Sequence, residues 1–487
     1  MLDGTARPQV LGIDPKHWIW RGLEWADRRL DRELRHISAV PHLGIDNYVG
    51  SLLWIVEIVG FLLSVFWRPT VGLYVLMPLL PLQTVRYKVH GYFLGEQFVD
   101  ILLLGVMLGL KRRGQPIFPR TPLNFLLFSY IIFTFLSMVR GSFFLGINLP
   151  LWFSDPRVSE WKNYVVDLSL MFFVTTGAIR TKRQIGFLML AMCAGALLVA
   201  KGFHNVVGDR NFSAFSYDLR DPGPLGWAGV NGLAAFTAQF SVFLAGLFLL
   251  HKRLAARLGY AGVFASGIYC VLFALSRGGY AACLIGLLYL GIVRSRFLLM
   301  TVLGFLLIWQ SLVPVAVRER ISMTTDDQGT GTMDHSAAAR VSLWEEAMQV
   351  FRADPIFGTG FNTYAYESHV GGYGDTHNVF VKVLVETGLV GLALFLAIFG
   401  KLFRIGFRLY RTAGDPFLRG IGLGFAALMV TAVVANLFGD RWMYFQITGY
   451  TYGLAALAVR AQEITQQGRE NDHEARSASE ELVAVGA

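Results

Sequence analysis

Three polar residues mark where this chain is best equipped for chemistry. Asp375, His377 and Asn378 sit in a glycine-broken loop, and the run that follows, Val379–Phe399, is apolar enough to span a bilayer at about 20 residues. A titratable imidazole is thereby set where a loop enters a membrane. Two charges, Lys382 and Glu386, lie inside the apolar run. At ~1.5 Å rise per residue, Glu386 falls roughly 13 Å beyond His377 along one helix. Charges at such depth cost a few kcal/mol and by default face the protein interior. The plainer reading is that Lys382 and Glu386, four residues apart, neutralise each other. For His377 it is a solvated loop histidine, against a general base near its ordinary pKa of ~6.5.

Arginine supplies the second kind of chemistry. Arg277 lies in Ala274-Leu-Ser-Arg-Gly-Gly279, a turn barely long enough to leave a membrane. A permanently charged guanidinium held there calls for an anion. A structural carboxylate is one partner; a phosphate or diphosphate is the other, because the planar fork of arginine matches phosphate oxygens. Gly278 and Gly279 would let ligand and backbone approach closely. Lys201 closes another apolar run, and Arg210 follows it in Gly208-Asp-Arg-Asn211. Arg210 is the second arginine to aim at an anion; Lys201 is a weaker candidate that snorkelling to the interface would equally explain.

The elements that carry these residues follow from composition. The 487 residues are 54% hydrophobic and 16% charged, with a mean hydropathy of +0.48. Long apolar runs in such a chain specify an all-α polytopic membrane protein with about 12–13 transmembrane helices. They begin at Ser51–Trp67 and end at Leu418–Phe438 and Tyr444–Val459, with Phe98–Leu110 short for a span. The first begins only near Gly50, so no cleavable signal peptide is expected. Cys193, Cys270 and Cys283 all lie in apolar segments and read as small buried hydrophobes, giving no disulfide or metal framework. The net charge of +9 is scattered between spans with no basic domain, which argues against nucleic acid and for positive-inside bias.

Basic clusters at Lys111–Arg120, Arg180–Arg183, Lys252–Arg257, Arg294–Arg296 and Lys401–Arg411 fall on alternate loops, as they should if all are cytoplasmic. The opposite, periplasmic or extracellular side then receives loops 86–97, 140–163, 201–229 and 276–279. It also receives the large hydrophilic insert 314–378. That side is rich in arginine: Arg140, Arg157, Arg210, Arg220, Arg277, Arg318, Arg320, Arg340 and Arg352. The parity of the first two spans sets the N-terminus outside, whereas a re-entrant helix would restore it inside. The domain plan is a polar segment 1–49 with a surface helix from Trp18 to Leu34, transmembrane helices over 50–313, the insert 314–378, further spans over 379–461, and a disordered tail 462–487.

Within the insert, Ser322–Ser336 is low in apolar content and reads as mobile. Asp326, Asp327, Asp334 and His335 match no metal-loop spacing there, and no metal is expected. Arg340–Phe351 differs: Val341, Trp344, Met348 and Phe351 form an apolar stripe at helical spacing, for packing on the membrane domain. Proline and glycine in Asp354-Pro-Ile-Phe-Gly-Thr-Gly-Phe-Asn362 then break the helix. The loop thereby returns Arg340 and His377 to the membrane surface. P-loops, CxxC pairs and GxSxG elbows are absent from the sequence, leaving an ATP-driven machine unsupported.

Lys201-Gly202, Ser276-Arg277-Gly278, Arg340 with Trp344, Pro355-Ile-Phe-Gly-Thr-Gly360, His377-Asn378 and Glu386-Thr-Gly388 resemble, in order and spacing over roughly residues 50–460, the O-antigen ligase and O-antigen polymerase superfamily. The long segment before Gly50 departs from that pattern. The resemblance implies a GT-C-like helical membrane fold in a bacterial inner membrane, an active site facing the periplasm, no cofactor and no essential metal. It implies a donor glycan linked to undecaprenyl pyrophosphate, and lipid A–core, a second lipid-linked repeat or another acceptor as partner. Ligase and polymerase are not distinguished.

On that footing Arg277 and Arg210 would hold the donor diphosphate while His377 acts as base toward the acceptor hydroxyl in an inverting transfer. Arg340, Lys201, Asn378 and Glu386 would bind substrate or support the site. The rival reading is a transporter or flippase of lipid-linked oligosaccharide, for which membrane arginines would serve equally. Against it stand the lack of an evident inverted repeat and the concentration of special residues on one face.

Overall fold

Proline and glycine, more than loss of hydrophobicity, decide where the apolar runs stop being helix. A computed structural model of the chain describes residues 48–146, 148–150, 155–323, 335–364 and 375–485. The surface helix expected from Trp18 to Leu34 lies outside them, as do the acidic residues Asp326, Asp327 and Asp334 with most of the stretch read as mobile. In order come α1 (Val49–Phe66), α2 (Thr70–Leu79), α3 (Phe98–Arg112) and α4 (Asn124–Leu145). Short segments Pro156–Trp161 and Lys162–Val166 lead into α5 (Asp167–Ala178), then α6 (Lys182–Val207), α7 (Gly229–Leu250), α8 (Leu254–Phe273) and α9 (Arg277–Val293). α10 (Arg296–Leu312), α11 (Val315–Ser322), α12 (His335–Ala353), α13 (Val379–Thr412), α14 (Pro416–Leu437) and α15 (Phe445–Val485) complete the order.

The protein is an all-α polytopic membrane protein, with no strand among the described residues. Seven of these helices are long and apolar enough to cross a bilayer: α1, α4, α6, α7, α8, α13 and α14. The pair α10–α11, bent by 109°, makes an eighth. That is fewer than the thirteen apolar runs. α2 has 10 residues and α9 has 17; at ~1.5 Å per residue α2 covers about half of a ~30 Å hydrocarbon layer. Pro78 inside α2 marks where it ends. At the other extreme α15 continues through Val485, where the sequence leads one to expect disorder from Gln462. The Glu-, Gln-, Arg- and Ala-rich tail is made of strong helix formers and simply extends the span it follows.

The core is built on α7, α13 and α14. α7 and α14 are apolar on every face, as a helix enclosed by others is. Their axes approach where Gly246 faces Gly424, and α13 meets α14 where Gly406 faces Gly422, the small-residue contact that membrane helices use for close packing.

The contacts sort the loops to two ends. Arg113 bonds Trp67 O, Lys182 Nζ meets Asp415 Oδ2 at 2.5 Å, and Gln462 Nε2 donates to Ile405 O at 2.7 Å, so the basic clusters share one end. At the other end Gln83 Oε1 accepts from Trp227 N at 2.9 Å, and Phe215 N donates to Glu319 Oε2 at 2.6 Å. There too Arg140 holds Asp354 and Gly358 O. α1 begins at this second end, its Ser51 Oγ 2.7 Å from Tyr92 OH.

The insert is anchored through a break in α13. Gly388 has φ 64° and ψ −167°, a region open only to glycine. The backbone groups released there are taken up by Pro355–Gly360. Leu389 N donates to Pro355 O at 2.9 Å, Thr359 N to Val385 O at 3.0 Å, and Gly360 N to Glu386 O at 2.8 Å. Irregular backbone at this depth is tolerable because protein satisfies it.

Candidate active site

Arg277 opens α9. Ser276 caps the helix, its Oγ accepting from Gly279 N at 3.4 Å, and Leu275 before it is forced to φ 51°. Ser276 Oγ also donates to Asn231 Oδ1 at 2.8 Å, and the same oxygen accepts from Arg220 Nη2 at 2.8 Å. Asn231 in the first turn of α7 therefore ties two cation-bearing segments together. Gly278 and Gly279 make room for protein as well: a Cβ on Gly278 would stand 3.0 Å from Phe438, and Gly279 packs on Ala234.

α11 brings a third arginine over the same place. Val313 is extended (φ −103°, ψ 152°) before Pro314, as a residue preceding proline must be, and the chain turns back across the end of the bundle. Ala316 N donates to Phe212 O at 3.2 Å, and the Arg320 guanidinium lies 5.0 Å from the Phe215 ring and 5.5 Å from Tyr217. Arg320 is only 5% exposed, and its Nε and Nη1 have no hydrogen-bond partner among the described residues. Arg220 Nε is likewise orphaned.

Arg220, Arg277, Arg320, Arg340 and Arg441 all line one pocket, together with Asn231 and the N-terminal glycines of α9. The positive end of the α9 dipole adds to their field. Burial, with the Arg320 and Arg277 charges, lowers the Arg220 pKa to about 10, so this cation is held against its neighbours. The pocket encloses about 70 Å³. At roughly 10–15 Å³ per water that is the room of a few waters, the size of a phosphate group and too little for a glycan.

His377 stands in the loop that abuts the turn Phe438–Arg441. Its backbone has φ 52°, a conformation uncommon outside glycine. Asp375 enforces it, taking His377 N at 2.8 Å on Oδ1 and Nδ1 at 3.2 Å on Oδ2. Val379 N donates to Gly439 O at 3.3 Å, joining the His377 loop to the turn whose Phe438 and Arg441 line the arginine pocket. Trp344 Nε1 donates to Thr376 O at 2.9 Å and fixes the loop from the α12 side. Of the expected α12 stripe, Met348 and Phe351 pack towards Val381 and Val385, with Ala347 at the centre. Val341 instead is exposed.

The acids around His377 are coupled. Burial would raise the Asp375 carboxyl, but the His377 contact and the Lys382 charge outweigh it and hold it well below the usual carboxylate range. Burial and the Asp375 charge push Asp440 upward. The two carboxyl groups interact, and of the two Asp440 has the higher proton affinity.

The remaining expected residues fall elsewhere. Arg210 does not line the pocket: its Nη2 meets Asp221 Oδ2 at 3.1 Å and its Nη1 donates to Asp218 O at 3.0 Å. Lys201 is exposed on α6, while its neighbour Gly202 packs against Pro224. Asn378 is the N-cap of α13, its Oδ1 accepting from Phe380 N at 3.0 Å and Val381 N at 3.4 Å. Glu386 is buried with Lys382 in α13, and its Oε1 accepts from Tyr364 N at 3.3 Å. Arg220 and Arg320 stand in the sequence among nine outer arginines with nothing to single them out, and Asp440 and Arg441 belong to no motif. The Asp440-Arg441 pair between two apolar runs is the available signal.

Residues 261–396 match the family whose model is described as O-antigen ligase. That stretch holds Arg277, Arg320, Arg340, His377 and Glu386, while Arg220 and Arg441 lie on either side of it. No curated protein matches the chain.

Proposed function

Because residues 261–396 match the O-antigen ligase family, we propose that the protein moves a glycan from an undecaprenyl diphosphate carrier to an acceptor hydroxyl at the periplasmic face of a bacterial inner membrane. One observation carries the reading: five arginines line a single phosphate-sized pocket, and buried Arg320 has two nitrogens without a partner among the described residues. A buried, unpaired cation is costly unless an anion joins it.

The diphosphate sits among Arg220, Arg277, Arg320, Arg340 and Arg441. As the bond from the anomeric carbon to the phosphate oxygen breaks, the electron pair leaves on the diphosphate and the guanidiniums stabilise the charge that grows there. Diphosphate is a good leaving group, so an acid on the donor side is dispensable. The acceptor oxygen attacks the opposite face and its proton passes to His377, inverting the anomeric centre. A carboxylate can only accept, so the Asp375 contact requires the proton on Nδ1 and makes Nε2 the basic nitrogen. Glu386 and Lys382 act as buried support, and Asn378 orients the loop as a helix cap.

Purified protein in detergent, supplied with lipid-linked glycan and acceptor extracted from the source cells, tests this. The native protein should yield a new covalent glycan product; a flippase yields none. His377→Ala and Arg277→Ala should fold and fail to consume donor, and full activity in either removes that residue from the mechanism.

A further inference from the structure

Beside the arginine pocket lies a second cavity of opposite character. Glu96, Asp100, Asp167, Trp227, Tyr164 and Tyr444 are among the residues that line it. Arg86 lines it too, but this cation is engaged: its Nε donates to Leu79 O at 3.1 Å and its Nη2 to Leu80 O at 3.0 Å, closing the end of α2. Lys162 Nζ bridges Asp100 and Asp167 at 2.7 Å each, leaving Glu96 as the wall's one carboxylate outside an ion pair among the described residues. The Gln83 and Gln446 side chains meet at 2.5 Å on another wall. Three carboxylates against two engaged cations make a wall that repels phosphate, where the neighbouring pocket gathers five positive charges.

The two cavities share a partition. Arg441 lines the first, Tyr444 lines the second, and the guanidinium lies 5.7 Å from the tyrosine ring centroid. The acids that hold the His377 loop reach this partition: Asp440 and Asp375 act electrostatically on Tyr444, and Asp440 acts on Tyr164. Carboxylates accept hydrogen bonds from hydroxyl groups, and carboxamides both accept and donate them. Trp227, 52% exposed, and the two tyrosines offer flat amphipathic faces of the kind that pack on the apolar side of a sugar ring. A concave site with aromatic walls and a few placed polar groups is built for a small uncharged ligand.

We propose that this cavity is the acceptor subsite and takes the terminal sugar ring of the acceptor, an uncharged polyol, presenting one hydroxyl across the Tyr444 partition to His377. The proposal rests on the transferase reading above and assigns its second substrate. A diphosphate-bearing group is excluded by the acidic wall, and the donor's own sugar, bonded to the diphosphate, stays on the Arg441 side.

The test uses full-length protein in detergent, with Trp227→Ala, Glu96→Gln and Arg320→Ala beside the native form. Binding of inorganic pyrophosphate is measured by calorimetry, and donor and acceptor KM are measured separately with substrates extracted from the source cells. Trp227→Ala and Glu96→Gln should each raise acceptor KM about tenfold or more, leaving donor KM and pyrophosphate affinity unchanged, because only acceptor binding has been removed. Arg320→Ala should do the reverse. Donor KM rising in the Trp227 and Glu96 variants, or acceptor KM unmoved in Glu96→Gln, overturns the acceptor assignment while leaving the diphosphate pocket standing. If Trp227→Ala lowers yield and thermal stability while Glu96→Gln leaves both KM values unmoved, the tryptophan is an interfacial anchor and the assignment falls. Native protein that neither binds pyrophosphate nor makes product refutes the transferase reading, and the acceptor subsite with it.

Discussion

Asp440 and Arg441 are adjacent in the chain and serve two different sites. The Asp440 carboxyl bonds Asp375 on the His377 side, while the Arg441 guanidinium lines the arginine pocket. Because a peptide unit is rigid, the His377 loop and the arginine pocket are held in one register by two consecutive residues.

Arg220, not Arg210, should be the arginine that donor binding needs. Arg220 lines the pocket, whereas Arg210 is paired with Asp221 on the partly exposed loop. Arg210→Ala loses a partly solvated ion pair worth about 0–1 kcal/mol and should keep near-native turnover. Arg220→Ala removes a charge facing the leaving group and should cut kcat/KM for donor by about 10²-fold. Measured donor kinetics with the opposite ranking would dissolve the pocket as drawn.

Asp375→Asn should lower kcat by about 10²-fold or more with donor KM unchanged. The amide still offers an oxygen to one His377 N–H, but no carboxylate then fixes the Nδ1–H tautomer or steadies the imidazolium formed on proton transfer. A variant with native kcat would leave the aspartate a purely structural turn residue.

How much of the molecule is legible in its sequence differs by level. The all-α membrane fold and the division of loops between two ends follow from apolar runs and alternating basic clusters, and Arg113, Lys182 and Gln462 do share one end. Arg277, Arg340 and His377 stand out because each sits where a charge should not lie idle, at a helix start or at a loop re-entering the membrane. Arg320 cannot be told from Arg318 by type or spacing; the turn at Pro314 and the packing of α11 on Phe212 and Phe215 select it. Arg210 reads as well as Arg220 for the same reason, since ten residues of irregular chain carry no periodicity from which a facing can be read. Asn378 suggests a substrate contact because a polar residue follows a histidine, yet the same residue type is a favoured helix cap.

Asp440→Asn should stabilise the protein at pH 8 and not at pH 4. Burial and the Asp375 charge raise the Asp440 pKa above its unfolded value of ~3.9, despite attraction from Lys382 and Arg441. The native contribution of protonated Asp440 is therefore complete below about pH 3.9 and is lost as pH rises through the folded-state value. Asp375, depressed by His377 and Lys382, contributes in the opposite sense: its share is present above about pH 3.9 and is lost as pH falls lower. An asparagine keeps a donor toward Asp375 at every pH, so the gain should open only on the alkaline side. Thermal unfolding in detergent at the two pH values measures it; an equal shift at both, or a loss at pH 8, rules out the Asp375–Asp440 interaction.

Gly388→Ala should disable the protein through its fold. A Cβ at this position would run into Ile356 O and Phe357 N, and φ 64° with ψ −167° is a conformation essentially closed to alanine. The strain alone is about 1–3 kcal/mol, and relieving it means expelling Pro355–Gly360 from the break in α13. The hydrogen bonds of Leu389, Thr359 and Gly360 then go unmade in an environment without water. Asp354 and Gly358, which Arg140 grips, move with the expelled segment, and so does the neighbouring attachment of the insert. On the same helix, a Cβ added to Gly400 would meet nothing within 4 Å, so Gly400→Ala should leave melting temperature and turnover at native levels. Thermal unfolding and donor consumption read side by side decide the matter: if Gly388→Ala melts and turns over like Gly400→Ala, the broken helix is not what secures the insert over the site.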